Sequence, residues 1–487
     1  VSAPYLDIGA PFQHDRTAMS PTAKNYDAII IGVGTSGGFL AKHLAEAGLE
    51  CLALEAGHHF DRRTYPDTEV DANSLMYWGG GIELNHDASI GLLRPKVVGG
   101  GSIVNGALMD RFDDDAFDAW RRESGVGYFS SEAMAGWYEK AEGSIGLEEI
   151  PAAYRNRNAE IFREGFENNG YKWAPLRRAQ SNCHYEDGND CIVCLRGCPI
   201  DSKQSTAVTM VPRALAAGLT LISRFEASTV AETADGVRVD GRHADGRTET
   251  FNGKRLILAS GAIGNTLLLM RSGFGPQLPA LGHNFYTHPQ YMELARYDER
   301  VDAHRGPLQS FKSSDPNFRR SGFKLENVYA PPGAIAMLVP GFGREHQRHM
   351  RQLSHYACIE VCVRDTNPGR IRLGRNGKVT VEKSLNAEDR TRRDRGLAAI
   401  HNVFHSTGAN EIVSGSIAIG LHLMGGCNMG VDPKKSVVSP EFHVHGTRRI
   451  YTADSSIFPN APGINPALTI MALSIRAAEQ FLAEARA

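Results

Sequence analysis

The chain has 487 residues, 51 of them glycine, with 42% hydrophobic and 22% charged residues, a content that supports a packed core and excludes a disordered or fibrous chain. Lys and Arg total 53 against 55 Asp and Glu, a formal net charge of −2 with no basic stripe, so no nucleic-acid partner is expected. No apolar run reaches the ~18 residues of a membrane span, and no secretory leader is visible at the start, so a cytoplasmic location is expected, with an already removed signal left open.

Residues 1–25 read as an N-terminal arm. Residues 26–32 (YDAIIIG) form a β-branched run of the kind found in buried strands. Residues 35–48 switch to helical spacing, with Phe39, Leu40, Leu44 and Ala47 on one face. Residues 50–55 (ECLALE) are a second buried strand, which completes a βαβ unit. Residues 56–94 look irregular, 114–146 helical with Trp120, Trp137 and Tyr138 on apolar faces, and 182–203 a loop. Strands are predicted at 219–222, 237–239 and 255–259, the last running through Gly261 into a helix. The stretch 283–414 mixes strands (356–364, 370–373, 378–382) with loops and a helix over about 389–407. A strand at 449–452 and a helix opening at Asn465 and Pro466 restore α/β character at the end. One α/β domain assembled from separated segments, with an α+β domain inserted, is the expected architecture.

Gly32-Val33-Gly34-Thr35-Ser36-Gly37 is a G-x-G-x-x-G placed after the first strand and opening the helix. Gly32 permits the tight turn, Gly34 lets backbone approach a pyrophosphate, and Gly37 lets helix and strand pack closely. The phosphates would meet unpaired N–H groups at the helix start. Glu55 ends the second strand, where a carboxylate can bond both ribose hydroxyls and disfavours a 2′-phosphate, so FAD or NAD is expected rather than NADP.

Further along come KVVGGGSIVN at 96–105, GAIGNTLLLMRSGFG at 261–275, LGHNFYTHP at 281–289 and HLMGGCNMG at 422–430, then VVSPEFHVHGTRRIYTADSSIFP and GINPALTIMALSIRAA. In order and spacing these resemble the glucose–methanol–choline (GMC) family of FAD-dependent alcohol oxidoreductases, from about residue 26 to 484. The resemblance implies a Rossmann-like FAD-binding domain from 26–150, 205–285 and 415–487. An α+β substrate domain would come from 151–204 and 286–414. It implies FAD as cofactor, a small-molecule alcohol as substrate, and oxygen or another electron acceptor. Gly100 would run past the flavin, Ser102 and Asn105 would bond its phosphates and ring edge, Val230 would meet adenine through its backbone, and Asp454 would bind flavin.

Oxidising an alcohol by hydride transfer to flavin N5 leaves a hydroxyl proton that needs a base, and histidine accepts protons near neutrality. His422 matches the family's catalytic histidine, among 18 histidines that include His443 and His445 in a similar setting. Asn465 matches the partner position that orients the substrate oxygen, and with Pro466 also reads as a helix start aimed at the flavin. One departure is visible: Gly426 stands where the family's H-x-x-G-T has threonine. A flavin-containing lyase of the same fold, with His422 as acid/base, is the alternative reading. Cys191, Cys194 and Cys198, with Cys183 upstream, resemble in part an iron–sulfur run. A structural thiol or disulfide loop is favoured, with a zinc site or a cluster-bearing subunit feeding a cytochrome as other possibilities. His401 and His405 have metal-pair spacing but lack a third ligand, so no metal is expected. Tyr77, Trp78 and Gly79–Gly81 are placed near the flavin entrance.

Overall fold

The computed structural model describes residues 24–183 and 194–486, so the expected arm falls almost wholly outside the described residues. Asn25–Ile31 is a strand in which Ala28, Ile29 and Ile30 are fully buried. It pairs in parallel with Cys51–Leu54 and with Thr248–Leu258, while Ile450–Thr452 continues the parallel set beyond Thr248–Leu258. Ile31 is in register with Leu54 on one side and Leu258 on the other, and Leu258 with Thr452. The carboxyl ends of these strands therefore form one rim, the place where open α/β sheets bind ligands. Gly32, Glu55 and Ala259 follow directly from it, and Asp454 comes one residue further on. The sheet has seven strands, extended by Thr220–Ile222 at one edge and by antiparallel Val237–His243 and Phe225–Glu232 at the other.

A second, nine-stranded sheet runs Glu83–Leu84, Ile90–Leu92, Ala418–Met424, Tyr286–Arg296, Tyr356–Val363, Phe323–Asn327, Phe311–Ser313, Trp173–Pro175, with Glu411–Ser414 also on Tyr286–Arg296. Tyr356–Val363 is buried at every position. Its residues alternate between two environments. Val361 packs toward helix Ala387–Ser406, where a Cβ on Gly396 would come within 2.3 Å of its methyl. Glu360 faces the opposite way, into the cavity described below.

Residues 56–94, expected to be irregular, supply helix Glu69–Met76 and two strands of this second sheet. Together with Ala418–Met424 they carry the sheet across the boundaries expected at 150 and 415, because strand pairing is decided by partners remote in sequence. The last helix spans Ala467–Arg486, so Pro466 precedes it and Asn465 stands one residue further out than a cap. Among the described residues no helix is long and apolar enough to cross a membrane.

Candidate active site

One cavity of about 770 Å³ runs from the rim of the parallel sheet to the face of the second sheet. Gly32, Gly34, Glu55, Gly100, Asn105, Asp454, His422, Asn465 and Pro466 all line it. Gly37, Ser102 and Val230 do not.

At the first end the glycines have separate physical reasons. Gly32 has φ +91°, and a Cβ there would lie 2.5 Å from the Ala259 carbonyl oxygen. A Cβ on Gly37 would lie 2.0 Å from the Gly32 carbonyl oxygen. Both are demanded by the fold. Gly34 is different: its φ is −83°, and an added Cβ would meet nothing nearer than Gly100 Cα at 3.8 Å. The protein's own packing leaves that space open, on the cavity side. Helix Thr35–Glu46 starts there with no side chain capping it, so its first N–H groups remain available to an anion. Glycine clearance and uncapped donors together fit a pyrophosphate.

Glu55 is buried, which raises its pKa, and both its oxygens accept backbone bonds, Oε2 from Val33 N–H at 2.9 Å and Oε1 from Gly57 N–H at 2.8 Å. The acid expected at a ribose thus also clamps the glycine turn to the second strand. Asp454 accepts from Gly261 N–H at 2.6 Å and Asn265 Nδ2 at 2.9 Å through Oδ2, and from Ser456 N–H at 2.8 Å through Oδ1. It ties the rim to the start of helix Gly261–Arg271.

Two expected contacts are directed elsewhere. The Ser102 hydroxyl donates to Gly99 O at 2.6 Å, lies 3.1 Å from Thr206 Oγ1 and accepts from Thr206 N–H at 3.0 Å, locking the 99–102 turn onto helix Thr206–Ala216. The Val230 N–H donates to Ser272 Oγ at 2.8 Å, and the cavity wall is formed instead by Phe225, Glu226 and Ala227 at the start of the same strand. Lys203 belongs to the cysteine loop CPIDSKQST. Its Nζ donates to the carbonyls of Ile103 at 2.6 Å, Asn105 at 2.5 Å and Cys194 at 3.0 Å, joining the cysteine loop to the turn. Cys191 lies outside the described residues. Cys198 is buried, which pushes its thiol up.

At the other end, His422 sits in strand Ala418–Met424 with φ +55°, in the left-handed region. Its strand pairs Met424 with Tyr286 but Leu421 with His288, so one extra residue is accommodated between them. This is a β-bulge, which re-aims a side chain at a local cost of about 1–3 kcal/mol. The Thr287 hydroxyl donates to the Leu421 carbonyl and Ser455 Oγ to the Leu423 carbonyl at 2.9 Å, fixing the bulge. Gly426 has φ +84° and would place a Cβ 2.4 Å from Thr266 Oγ1, so Thr266 occupies the space a threonine at 426 would need.

His288 is fully buried behind His422, with the two Nδ1 atoms 2.9 Å apart. His288 Nε2 accepts from Gly463 N–H at 2.9 Å. His288 therefore carries its proton on Nδ1 and donates to His422 Nδ1. Burial, then the Lys324 ammonium, lowers the pKa of His422 to about 3, and burial with the charge of His422 holds His288 well below its ordinary value. Both imidazoles are neutral. The Cys362 sulfur and one nitrogen of each imidazole lie within 4.8 Å of one another, the one group with metal-ligand potential among the described residues.

Asn465 is buried on the cavity, and Lys324 Nζ donates to its Oδ1, which fixes Nδ2 as the donor end of the amide. Lys324 also meets Asp110 Oδ2 at 3.0 Å and Glu326 Oε1 at 2.5 Å. These contacts raise its pKa against burial, and they lower that of Asp110 to about 2. Lys324→Met leaves the buried Glu326 without its ammonium and Asp110 with Lys312 alone, and is expected to lower stability by about 3 kcal/mol in urea unfolding. A loss below about 1 kcal/mol would show that water reaches the cluster. Three other histidines singled out by sequence are bonded away from this centre: His443 Nε2 meets Glu484 Oε2 at 2.9 Å, His445 Nε2 meets Ser436 Oγ at 3.0 Å, and His401 Nε2 meets Glu293 Oε2 at 2.9 Å. Tyr77, Trp78, Gly80 and Gly81 line the cavity, with Arg94 and Lys96 each 4.4 Å from the Trp78 ring centroid.

A flavin-type dinucleotide cleft that runs to a half-buried histidine and a buried asparagine defines the class of a flavin-dependent oxidoreductase. The chain belongs to the GMC oxidoreductase family, matching it over residues 73–290 and, in its C-terminal part, 365–474. It is 29% identical over 96% of its length to an uncharacterized GMC-type oxidoreductase of Mycobacterium tuberculosis strain H37Rv, covering 77% of that protein. It is 25% identical to a long-chain-alcohol oxidase of Arabidopsis thaliana, over 92% of this chain and 67% of that one. Among solved structures, formate oxidase of Aspergillus oryzae superposes with a TM-score of 0.74 at 16% identity, over 96% of this chain and 99% of that one. The fold is that of the GMC flavoenzymes, the enzyme is an oxidoreductase, and its cofactor is FAD.

Proposed function

We propose that the enzyme oxidises an alcohol to an aldehyde or ketone, with His422 as the base and Asn465 orienting the substrate oxygen. The observation that carries this reading is one cavity that joins an uncapped glycine turn to a neutral imidazole and a lysine-held amide. FAD bound in this cavity supplies the hydride acceptor. The chain's residues do the rest. Asn465 donates from Nδ2 to the substrate oxygen, its orientation set by Lys324. His422 accepts the hydroxyl proton at Nε2, the nitrogen that His288 does not engage. For Nε2 to be free, the proton of His422 must lie on Nδ1, and His288 must then move its own proton to Nε2 and release the Gly463 amide. The two imidazoles change tautomer together, which makes His288 a positioning residue.

Because the pKa of His422 is lowered, the base stays unprotonated as pH falls through the ordinary histidine range. Anaerobic flavin reduction by a saturating alcohol should therefore keep its rate from pH 8 down to pH 5, roughly. A tenfold fall centred near ~6.5 would instead describe an exposed, ordinary histidine. The direct test is anaerobic titration of the yellow holoenzyme with a panel of alcohols. Bleaching supports alcohol oxidation. Cyanide release from a cyanohydrin, with no bleaching by any alcohol, would make the protein a lyase.

A further inference from the structure

One sulfur and two imidazoles converge beside the cavity, and the steps above use only the imidazoles. Cys362 sits on strand Tyr356–Val363 with Gln290 directly opposite on one neighbouring strand and Lys324 on the other. His288 stands two residues before Gln290, and the bulge brings His422 Nδ1 to 2.9 Å from His288 Nδ1. A nitrogen of each ring and the Cys362 sulfur are mutually within 4.8 Å. A tetrahedral Zn2+, with bonds of about 2.0–2.1 Å to nitrogen and about 2.3 Å to sulfur, needs ligand atoms about 3.3–3.6 Å apart. Side-chain shifts on the order of 1 Å close the set around such an ion.

The donors are in forms that a metal can use. His288 Nε2 accepts from Gly463 N–H, and His422 Nδ1 accepts from His288, so each ring is neutral, the ligating form. His422 thus carries its proton on Nε2 and presents the lone pair of Nδ1. The Gln290 amide hydrogen-bonds the Cys362 sulfur, the kind of outer partner that orients a ligand. The charge of Lys324 is offset by Asp110 and by Glu326, which stands opposite Glu360 on the neighbouring strand. A divalent ion bound with one thiolate adds a single positive charge. Two nitrogens and a sulfur, with no carboxylate among them, select a thiophilic ion over Mg2+ or Ca2+. Half-buried His422 lines the cavity, which gives the ion its path inward.

We propose that Cys362, His288 and His422 form a binding site for a thiophilic divalent cation of the Zn2+ class, and that its occupancy switches alcohol oxidation off. On binding, the Cys362 thiol gives its proton to solvent, and the His288 proton moves from Nδ1 to Nε2, which releases the Gly463 amide. No electron is transferred. Metal on Nδ1 fixes the His422 proton on Nε2, the nitrogen that must be free to accept the hydroxyl proton. Bound cation and active base therefore exclude each other. The inhibition rests on the reading of His422 as base, whereas the binding does not.

The test adds Zn2+ or Mg2+ to the holoenzyme and follows anaerobic flavin reduction by a saturating alcohol. Zn2+ should slow reduction by at least about tenfold, more alcohol should not relieve the effect, and EDTA should reverse it. Mg2+ should do nothing. Measured against its own metal-free rate, Cys362→Ala should need about 100-fold more Zn2+ for half inhibition, and Gln290→Leu about tenfold more. After equilibrium dialysis the wild-type holoenzyme should hold about one Zn2+ per chain more than Cys362→Ala, a difference that subtracts whatever the cysteine loop binds. Equal zinc contents with equal half-inhibiting concentrations overturn the site, and so does equal inhibition by Mg2+. Zinc held through Cys362 without inhibition overturns the mutual exclusion and, with it, His422 as base. If no alcohol reduces the flavin, alcohol oxidation fails as a reading while the zinc difference still decides the site. Should Cys362→Ala not fold, Gln290→Leu decides it by the same two measurements.

Discussion

His422→Ala is expected to purify yellow and to reduce its flavin with alcohol about 10³-fold more slowly than the wild type, the scale of a lost general base. The expectation separates binding from chemistry because the two ends of the cavity are built from different elements. The glycine turn and Glu55 lie on the rim of the parallel sheet, whereas His422 lies on a bulge of the second sheet. Alanine takes φ +55° less readily than histidine, so this variant keeps at least the wild-type backbone strain. His422→Gly removes the strain as well as the imidazole, since glycine takes that conformation without steric cost. It should unfold at an equal or higher urea concentration and be as slow as the alanine variant. Stopped-flow absorbance of the anaerobic enzyme reads the rate, and released FAD reads the loading. A rate above a tenth of wild type in both variants would remove His422 from the role of base.

The difference between those two ends also decides what could be read from sequence. The βαβ unit at 25–54 is local: a β-branched run, a helical stripe and a glycine turn lie within one short stretch, and each obeys its own periodicity. His422 and Asn465 were reachable only through family motifs, and the fold sets both on one cavity, with Lys324 bonded to Asn465 and its charge felt at His422. The substrate wall was less legible. Tyr286–Arg296 contains Pro289, which argues against a central strand, yet it is the strand that carries His288 and Gln290. Glu360 gave a usable sign, an acid inside the apolar run YACIEVCV. Its partner Glu326 could not be found that way, because their pairing depends on the register of strands far apart in the chain. Ser102 and Val230 show the converse: motif position put them beside the cofactor, and the hydrogen bonds they make with Thr206 and Ser272 turn them to holding the scaffold.

Gly34→Val is expected to fold and to purify colourless. The argument turns on the contrast among the three glycines of the turn. At Gly34 the backbone is in a region open to any residue, and the nearest protein atom to an added Cβ is 3.8 Å away, so the polypeptide itself tolerates a side chain. The side chain would occupy the space beside the uncapped helix start that a pyrophosphate needs. At Gly37, by contrast, a Cβ would lie 2.0 Å from the Gly32 carbonyl, so Gly37→Ala should damage the strand–helix junction and lose fold and cofactor together. Urea unfolding of the apoproteins separates the two cases. Gly34→Val should stay within about 1 kcal/mol of wild-type apoprotein, and Gly37→Ala should fall by more than that. Added FAD raises the melting temperature of wild-type apoprotein by mass action and should leave that of Gly34→Val unmoved. A yellow Gly34→Val with wild-type FAD content would mean that the pyrophosphate does not lie against this turn.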